Sequence, residues 1–156
     1  MILIWALLIA FMTVGLCVIV HYEALRLTSL LIPRLTIPPR PKVLAVIGAV
    51  FLAHLFEIVI FAVTYRLMQP FPQLGEIAGH FSRSAVDYFY FSITSFTTLG
   101  IGDLFPHGAY RIVVGFESLT GFGLIGWSVS FTYLVMQEFW TQHGPRPKRR
   151  KDHDQG

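Results

Sequence analysis

The clearest shortage in this chain is of charged side chains. Asp, Glu, Lys and Arg make up 13% of the 156 residues, whereas hydrophobic residues make up 54%. A soluble domain carries about 25% charged residues, so this composition predicts that lipid surrounds most of the chain. The single cysteine, Cys17, lies within an apolar run, which excludes a disulfide framework and a metal site built from several cysteines.

The chain also lacks the motifs of the common enzyme and nucleic-acid-binding classes. There is no His-Glu-x-x-His sequence and no arrangement of a nucleophile beside a base. His54 and Glu57 have a His-x-x-Glu spacing, but two ligands are too few for a metal centre. There is no arginine ladder of a voltage sensor, and the tail is too short for a ligand-binding domain. We therefore predict no enzyme activity, no cofactor and no nucleic-acid partner.

Hydrophobic runs dominate what is present. Three of them reach the length of about 20 residues that a bilayer-spanning helix needs, at 1–20, 43–68 and 109–140. A cleaved signal peptide is the alternative for the first, but no Lys or Arg precedes it and no small-x-small site follows, so a retained helix is favoured. Residues 21–42 are predicted to be a basic, proline-rich linker, whose part 22–32 can continue as an interfacial helix. Residues 141–156 are predicted to be a basic, disordered tail.

Positive charge is unevenly distributed along the chain. Nine of the 12 Lys and Arg residues lie in 21–42 and in the tail. Cytoplasmic loops carry the excess of Lys and Arg, so the linker and the C-terminus are predicted to be cytoplasmic and the N-terminus outside. The sequence thus predicts a multi-pass protein of the cell (inner) membrane, with the lipid bilayer as a partner.

A shorter helix is predicted between the second and third runs. Ser84 and Asp87 have the spacing of a capping box, which predicts a helix over 85–97. Its apolar segment is too short to cross a bilayer, so it must enter and return. Non-helical backbone at membrane depth is tolerated only inside protein or along a wet cavity. The segment that follows must therefore be surrounded by other subunits.

That following segment is Thr-Thr-Leu-Gly-Ile-Gly-Asp, residues 97–103. Glycine can hold a positive φ, so two nearly adjacent glycines allow successive carbonyls to point to one side. Carbonyls aimed inward from several subunits can replace the water shell of a cation. Most Gly-x-Gly sequences are simple turns. The interpretation of this segment as a cation site therefore depends on the helices predicted on either side of it.

The order of span, outer loop, re-entrant helix, this heptapeptide and a final span resembles the pore module of potassium channels. Their signature is Thr-x-Gly-[Tyr/Phe]-Gly-Asp, and the likeness covers Val43 to about Met136. The match resembles the small bacterial potassium channel family with one pore loop per chain. The resemblance implies an all-α membrane protein, a pore domain over 43–140, a filter at 98–103 and a homotetramer. The first helix is an addition to that module.

The resemblance also implies roles for individual residues. The carbonyls that would bind K⁺ belong to Thr98, Leu99, Gly100 and Ile101, while Gly102 joins Gly100 in permitting their orientation. Asp103 would form an acidic ring at the outer mouth. Gly121 would be a hinge, followed on one helix face by the cavity-lining residues Phe122, Ile125, Val129 and Tyr133. Ordinary helix packing through small residues is the alternative for this face.

Ile101 departs from the family signature, because an aromatic residue usually stands between the two glycines. Isoleucine cannot brace the filter by a hydrogen bond. How strictly the pore selects potassium over sodium is therefore the property that this departure leaves undecided. Tyr90 and Phe91 stand where the family has aromatic packing around the filter, and simple core packing is the alternative. Three ionisable residues within spans, His54, Glu57 and Glu117, are predicted to form one cluster behind the filter with Thr94 or Ser95. The alternatives for this cluster are a structural network and a pH sensor.

The sequence therefore predicts a passive potassium channel. The alternatives are a weakly selective cation channel, a non-conducting scaffold or accessory subunit, and a subunit of an active potassium transporter. The transporters usually carry several such loops in one chain, and this chain has one. Gating would come from the membrane, pH, pore occupancy or an unknown regulatory subunit.

Overall fold

The structure is a computed structural model that describes residues 1–34, 36 and 38–143. Four helices account for most of it, and we number them α1 to α4, with two short strands, β1 and β2. In chain order the elements are α1 (Ile2–Leu31), a 3-10 turn (Ile32–Arg34), α2 (Pro39–Met68), a 3-10 turn (Pro72–Leu74), β1 (Ile77–Gly79), α3 (Ala85–Phe96), β2 (Leu104–Pro106) and α4 (Tyr110–His143).

Three of the described helices are long and apolar enough to cross a membrane. The candidate spans are Ile2–Arg34, Pro41–Met68 and Tyr110–Glu138. The shortest has 28 residues, or about 42 Å of helix, against about 30 Å of bilayer hydrocarbon. Helix α3 has 12 residues, or about 18 Å, so it cannot cross.

The first helix is longer than its hydrophobic run predicted. It continues through His21 to Leu31, so the boundary at residue 20 is wrong, while the expectation that 22–32 can continue as a helix agrees with the structure to within one residue. No proline occurs before Pro33, so nothing in this stretch breaks the helix. One stripe of buried residues continues along the helix and packs against α2 and α4: Ala6, Ala10, Thr13, Cys17, His21, Leu25 and Thr28.

The other long helices also extend beyond their predicted ends. Helix α2 begins at Pro39 rather than residue 43, because proline suits the first turn of a helix, where its missing N–H has no partner to lose. Helix α4 ends at His143 rather than residue 140. Most of the predicted tail, residues 144–156, lies outside the described residues, as do Leu35 and Ile37 of the predicted linker.

Helix α3 begins at the predicted capping box. The hydroxyl oxygen of Ser84 accepts the N–H of Asp87 at 3.1 Å, and the Asp87 carboxylate accepts the N–H of Ser84 at 3.4 Å. The hydroxyl of Ser82 also donates to Asp87, and this bond is the main cause that lowers the pKa of the exposed carboxyl. The helix ends at Phe96, one residue before the predicted end, with Thr97 as its C-cap.

A two-stranded sheet joins the loops on either side of α3, and it was not predicted. Strands β1 and β2 are antiparallel, with Ile77 opposite Pro106 and Gly79 opposite Leu104. Gly79 has φ +108°, and a Cβ placed there would lie 2.0 Å from the carbonyl oxygen of Asp103. The loop before α3 therefore touches the end of the heptapeptide through a position that only glycine fits.

The core lies where α2, α3 and α4 meet. Tyr65 is fully buried, its ring stacks on Tyr110 at 5.9 Å between centroids, and it meets the edge of Phe91 at 5.2 Å. The Tyr110 hydroxyl donates to the carbonyl oxygen of Tyr65 at 3.1 Å. Aromatic pairs with such geometry stabilise beyond their buried area, by about 0.5–1.5 kcal/mol each. They hold α3 in a fixed place between the two longer helices.

Candidate functional site

The segment 97–103 follows α3 directly and is exposed along its whole length in the single chain. Leu99 is 65% exposed and Ile101 is 59% exposed. Two short strands and the C-terminal end of α3 hold the segment at its two ends. A run of exposed backbone beside a helix that enters the bilayer requires protein or water around it.

The backbone of this segment alternates in handedness. Positive φ values occur at Thr98 (58°), Gly100 (50°) and Gly102 (90°), whereas Leu99 and Ile101 between them have none. The two glycines adopt this conformation without steric cost. Thr98 was not expected to, since a left-handed β-branched residue is a genuine outlier that costs on the order of 1–3 kcal/mol. Strain of this kind concentrates at ligand-binding backbone.

The carbonyls at the end of α3 hold the start of the segment. The N–H of Thr98 donates to the carbonyl oxygen of Ser95 at 3.0 Å, and those of Leu99 and Gly100 donate to the carbonyl oxygen of Thr94 at 2.9 and 3.1 Å. The Thr94 hydroxyl itself donates to backbone oxygens of its own helix. Thr94 therefore contacts the segment through its main chain, not through the side chain that the sequence suggested.

A hydrogen bond between side chains holds the far end. The hydroxyl of Tyr90 on α3 donates to a carboxylate oxygen of Asp103 at 3.1 Å. This bond links the helix to the segment just beyond Ile101, the residue that cannot form such a link. A cavity of about 240 Å³ lies behind the segment, lined by residues that include Thr98, Ile101 and Ser118. Ser118 donates to the carbonyl oxygen of Ser95 at 3.0 Å and so joins α4 to α3.

Gly121 lies where α4 packs closely against the end of α3. A Cβ placed there would be 2.0 Å from the carbonyl oxygen of Phe96. Helix α4 runs without a break from Tyr110 to His143, so Gly121 does not interrupt the helix. The contact with Phe96 is a structural requirement for glycine that is separate from the predicted hinge.

The predicted cavity face divides into two parts. Phe122 is 73% exposed and points away from the rest of the chain. Ile125, Val129 and Tyr133 instead line a groove of about 460 Å³ between α4 and α2. His54 and Ser128 also reach this groove.

Glu57 lies in a buried polar cluster with partners from three helices. Its two carboxylate oxygens each lie 2.8 Å from an Nδ1 atom, one of His21 on α1 and one of His54 on α2. The Nε2 atoms of both histidines reach the hydroxyl oxygen of Ser128 on α4, at 3.3 and 3.0 Å. The two imidazole rings stack at 5.3 Å between centroids. We call these four residues the histidine–glutamate cluster.

Glu117 lies in a separate buried site. Tyr65 donates to one of its carboxylate oxygens at 2.5 Å, and Ser92 lies 2.5 Å from the other. The prediction that His54, Glu57 and Glu117 form one cluster with Thr94 or Ser95 is therefore wrong. Glu57 takes its partners from α1 and α2, whereas Glu117 takes Tyr65 from α2 and Ser92, not Thr94, from α3.

The polar partners His21, Tyr65, Ser92 and Ser128 were missed. His21 was assigned to the linker, yet it lies four residues after Cys17 on one helix face. The series Ala6, Ala10, Thr13, Cys17, His21 repeats small or polar residues every three or four positions, a pattern typical of packed membrane helices. That pattern would have indicated that α1 continues beyond residue 20 and buries His21.

Comparison with known proteins identifies the class to which this fold and site belong. A family model described as "Ion channel" matches residues 43–138, more than half of the chain. The chain therefore belongs to this ion channel family. The matched range contains α3 and segment 97–103, and α1 lies outside it. The protein is thus an all-α membrane protein with a pore fold of the potassium-channel type.

Among curated proteins, the chain is similar to Potassium channel K2 of Plasmodium falciparum (isolate 3D7). The two are 39% identical over 61 residues, which cover 39% of this chain and 4% of that protein. The chain thus matches only a small part of this relative. No solved structure matches.

Proposed function

We propose that four copies of this chain form a potassium-selective pore that conducts K⁺ passively across the membrane. Membership of an ion channel family supports the channel activity, and the potassium channel relative supports the ion. The observation that carries the proposal is the exposed, alternately left-handed backbone of residues 98–102 at the end of a helix too short to cross. One chain supplies one row of carbonyls, and a ring needs several rows.

In this proposal the filter is residues 98–103. Carbonyl oxygens of Thr98, Leu99, Gly100 and Ile101 coordinate K⁺, and the left-handed residues between them turn these oxygens to one side. The dipole of α3 adds partial negative charge at the C-terminal end of the helix, beside the ion path. Asp103 adds an acidic ring at the outer mouth, where the bond from Tyr90 holds its carboxylate.

Helix α4 and the membrane topology complete the proposed pore. Gly121 lets α4 approach the end of α3, and Phe122, Ile125, Val129 and Tyr133 face the inner cavity or its side openings. The proposed topology places the N-terminus outside and the C-terminus in the cytoplasm of a cell (inner) membrane. A tag at the N-terminus that a membrane-impermeant protease removes from intact cells supports this orientation, and a fully protected tag contradicts it.

Cation flux into proteoliposomes tests the function. Uptake of K⁺ without Na⁺ by the wild-type chain, lost in Gly100→Ala, is the expected result, because alanine resists φ +50°. Gly48→Ala on α2 is the matched control, since Gly48 has no neighbour within 4 Å and an ordinary φ. Failure of the purified wild-type protein to conduct would contradict the proposal and favour a scaffold or accessory subunit.

A weakly selective cation channel is the second candidate, and Ile101 favours it. The side chain of Ile101 cannot form the hydrogen bond by which an aromatic residue braces this position, and a less rigid ring discriminates less between ions. Equal uptake of Na⁺ and K⁺ in the same proteoliposomes would support this candidate over a potassium channel. Chemical cross-linking that yields four chains at most supports the tetramer, and a dimer would contradict it.

A further inference from the structure

We propose that the histidine–glutamate cluster is a binding site for a divalent transition-metal ion of the zinc class, which ties α1 to the pore module. The two histidines and the glutamate each offer one ligand atom, and these atoms lie within 4.8 Å of one another. His54 and Glu57 alone are too few ligands. The structure supplies the third ligand from α1, 33 residues earlier in the chain than His54.

The donor set suits zinc. Two neutral imidazoles and one carboxylate are a set that zinc accepts in proteins, with a further position for water or another ligand. Zinc–ligand bonds of about 2.0–2.2 Å place tetrahedral ligand atoms about 3.3–3.6 Å apart. The present separations, 2.8 Å from each Nδ1 to its carboxylate oxygen, require side-chain shifts of about 1 Å to admit the ion.

The negative charge of Glu57 is a second reason to expect a cation at the cluster. Its side chain is fully buried, and its ion pairs within the described part of the chain are with the two histidines. A buried carboxylate without positive charge nearby is strongly unfavourable, more so in a membrane bundle. The compensating charge comes from a metal ion or from a proton held by the cluster, on an imidazole or on Glu57 itself.

Hydrogen-bond donors can be counted for each state. If both histidines are neutral and donate from Nδ1 to Glu57, both Nε2 atoms are acceptors, and the one hydroxyl proton of Ser128 satisfies only one of them. With a metal ion bound at both Nδ1 atoms, both Nε2–H groups donate to the two lone pairs of Ser128. Every buried donor and acceptor of the rings is then satisfied, and Ser128 orients both ligands. One imidazolium would also satisfy all of these groups, so the count excludes only the state with two neutral histidines and no ion.

The site has an entry path. His54 keeps 15% of its side-chain surface exposed, and both His54 and Ser128 line the groove of about 460 Å³ between α2 and α4. An ion can therefore reach the cluster from the groove without opening the contact between α1 and α2. Once bound, it would join ligands from these two helices and raise the resistance of the fold to heat.

Metal analysis of the full chain tests the proposal, with purification through a tag that contains no histidine. We expect about one zinc ion per chain by mass spectrometry, and a visible absorption band of bound Co²⁺ when the chelated protein is titrated with Co²⁺. His21→Gln and His54→Gln should each lose the ion and the band. The matched controls are His80→Gln and His107→Gln, in outer loops, which should keep both.

Ser128→Ala gives a graded test. It removes a partner of the ligands and no ligand, so the affinity for Zn²⁺ should fall about 10–100-fold. Wild-type protein that holds no metal and gives no Co²⁺ band would overturn the proposal and assign the charge to a proton. So would retention of the ion by folded His21→Gln and His54→Gln. If those variants do not fold, the wild-type measurement decides, and it is independent of potassium flux.

Discussion

Segment 97–103, the proposed filter segment, and the histidine–glutamate cluster differ in what each needs from other molecules. The filter segment is exposed in the single chain and holds strained backbone at Thr98. The cluster takes its hydrogen-bonding side chains from three helices of one chain. A pore site has to be completed by other copies and by ions, whereas a polar site in a membrane bundle must be satisfied where it lies.

Removing the buried carboxylate should give the largest change in stability. Glu57→Ala leaves two histidines facing an apolar gap, and breaking a buried pair costs about 3–5 kcal/mol. We expect a large fall in the midpoint of thermal unfolding in detergent. Glu23→Ala, whose carboxylate forms an exposed pair with Arg26, is the control and should cost less than about 1 kcal/mol. Equal falls in the unfolding midpoint for the two substitutions would contradict a stabilising role for the cluster.

A larger side chain at position 121 should disturb the proposed filter more than the histidine–glutamate cluster. In Gly121→Ala the added Cβ would lie 2.0 Å from the carbonyl oxygen of Phe96, so α3 or α4 must move. Overpacking of this kind costs about 1–3 kcal/mol. We expect loss of K⁺ flux together with this destabilisation. Gly115→Ala on the same helix meets no atom within 4 Å and serves as the control. Normal flux in Gly121→Ala would show that the filter does not depend on this contact.

The bond between Tyr90 and Asp103 should set ion selectivity. Tyr90→Phe removes the donor and keeps the ring, so the outer end of the filter loses its link to α3. We expect the ratio of K⁺ to Na⁺ uptake to fall roughly two- to tenfold, the size of one hydrogen bond. Tyr22→Phe, at an exposed position of α1, should leave the ratio unchanged. An unaltered ratio in Tyr90→Phe would show that this bond does not replace the hydrogen bond that an aromatic residue at position 101 would form.

The pH-sensing role of the buried carboxylates stays a prediction, and Glu117 allows it to be tested apart from the metal site. Glu117→Gln keeps an oxygen for the Tyr65 hydroxyl and removes the ionisable group. If Glu117 senses pH, the flux of the wild-type chain varies with pH and that of the variant varies less. Superimposable pH profiles would contradict sensing by this residue and leave a structural role.

The smallest expected effect is at the start of α3. The hydrogen bond from Ser82 lowers the pKa of Asp87 below its ordinary value of 3.8, so the carboxylate is favoured in the folded state. Its stabilisation is therefore fully present above pH 3.8 and is lost as the pH falls through the lower folded pKa. Between about pH 6 and pH 3, Asp87→Asn should show a flatter decline of the unfolding midpoint than wild type. Parallel declines would contradict this.

Much of the fold could be predicted because its signals are local. The three hydrophobic runs, the capping box at Ser84 and the glycines at 100 and 102 each act within a few residues. The end of α1 was wrong because the hydrophobic run ends at Val20 and a basic, proline-rich stretch follows, while the buried stripe showed only at helical spacing. The short sheet was missed because its strands have three residues each and pair across α3.

The polar contacts could not be predicted for the same reason. Glu57 and Glu117 are both ionisable residues within predicted spans, and that shared property placed them together. Which neighbour each one meets depends on how α3 packs against α2 and α4. Ser92 and Thr94 lie only two residues apart on α3, and the packing brings Ser92 to Glu117.

The sequence by itself determined which segments cross the membrane, which helix enters and returns, and where glycine allows a left-handed backbone. Hydrophobic length, capping and φ preference decide these properties within one segment. Only the tertiary structure decided that Thr98 joins the glycines, that Tyr90 reaches Asp103, and that His21 meets Glu57. Each of these depends on how separate segments pack, and a buried polar group takes the partner that packing brings within hydrogen-bond distance.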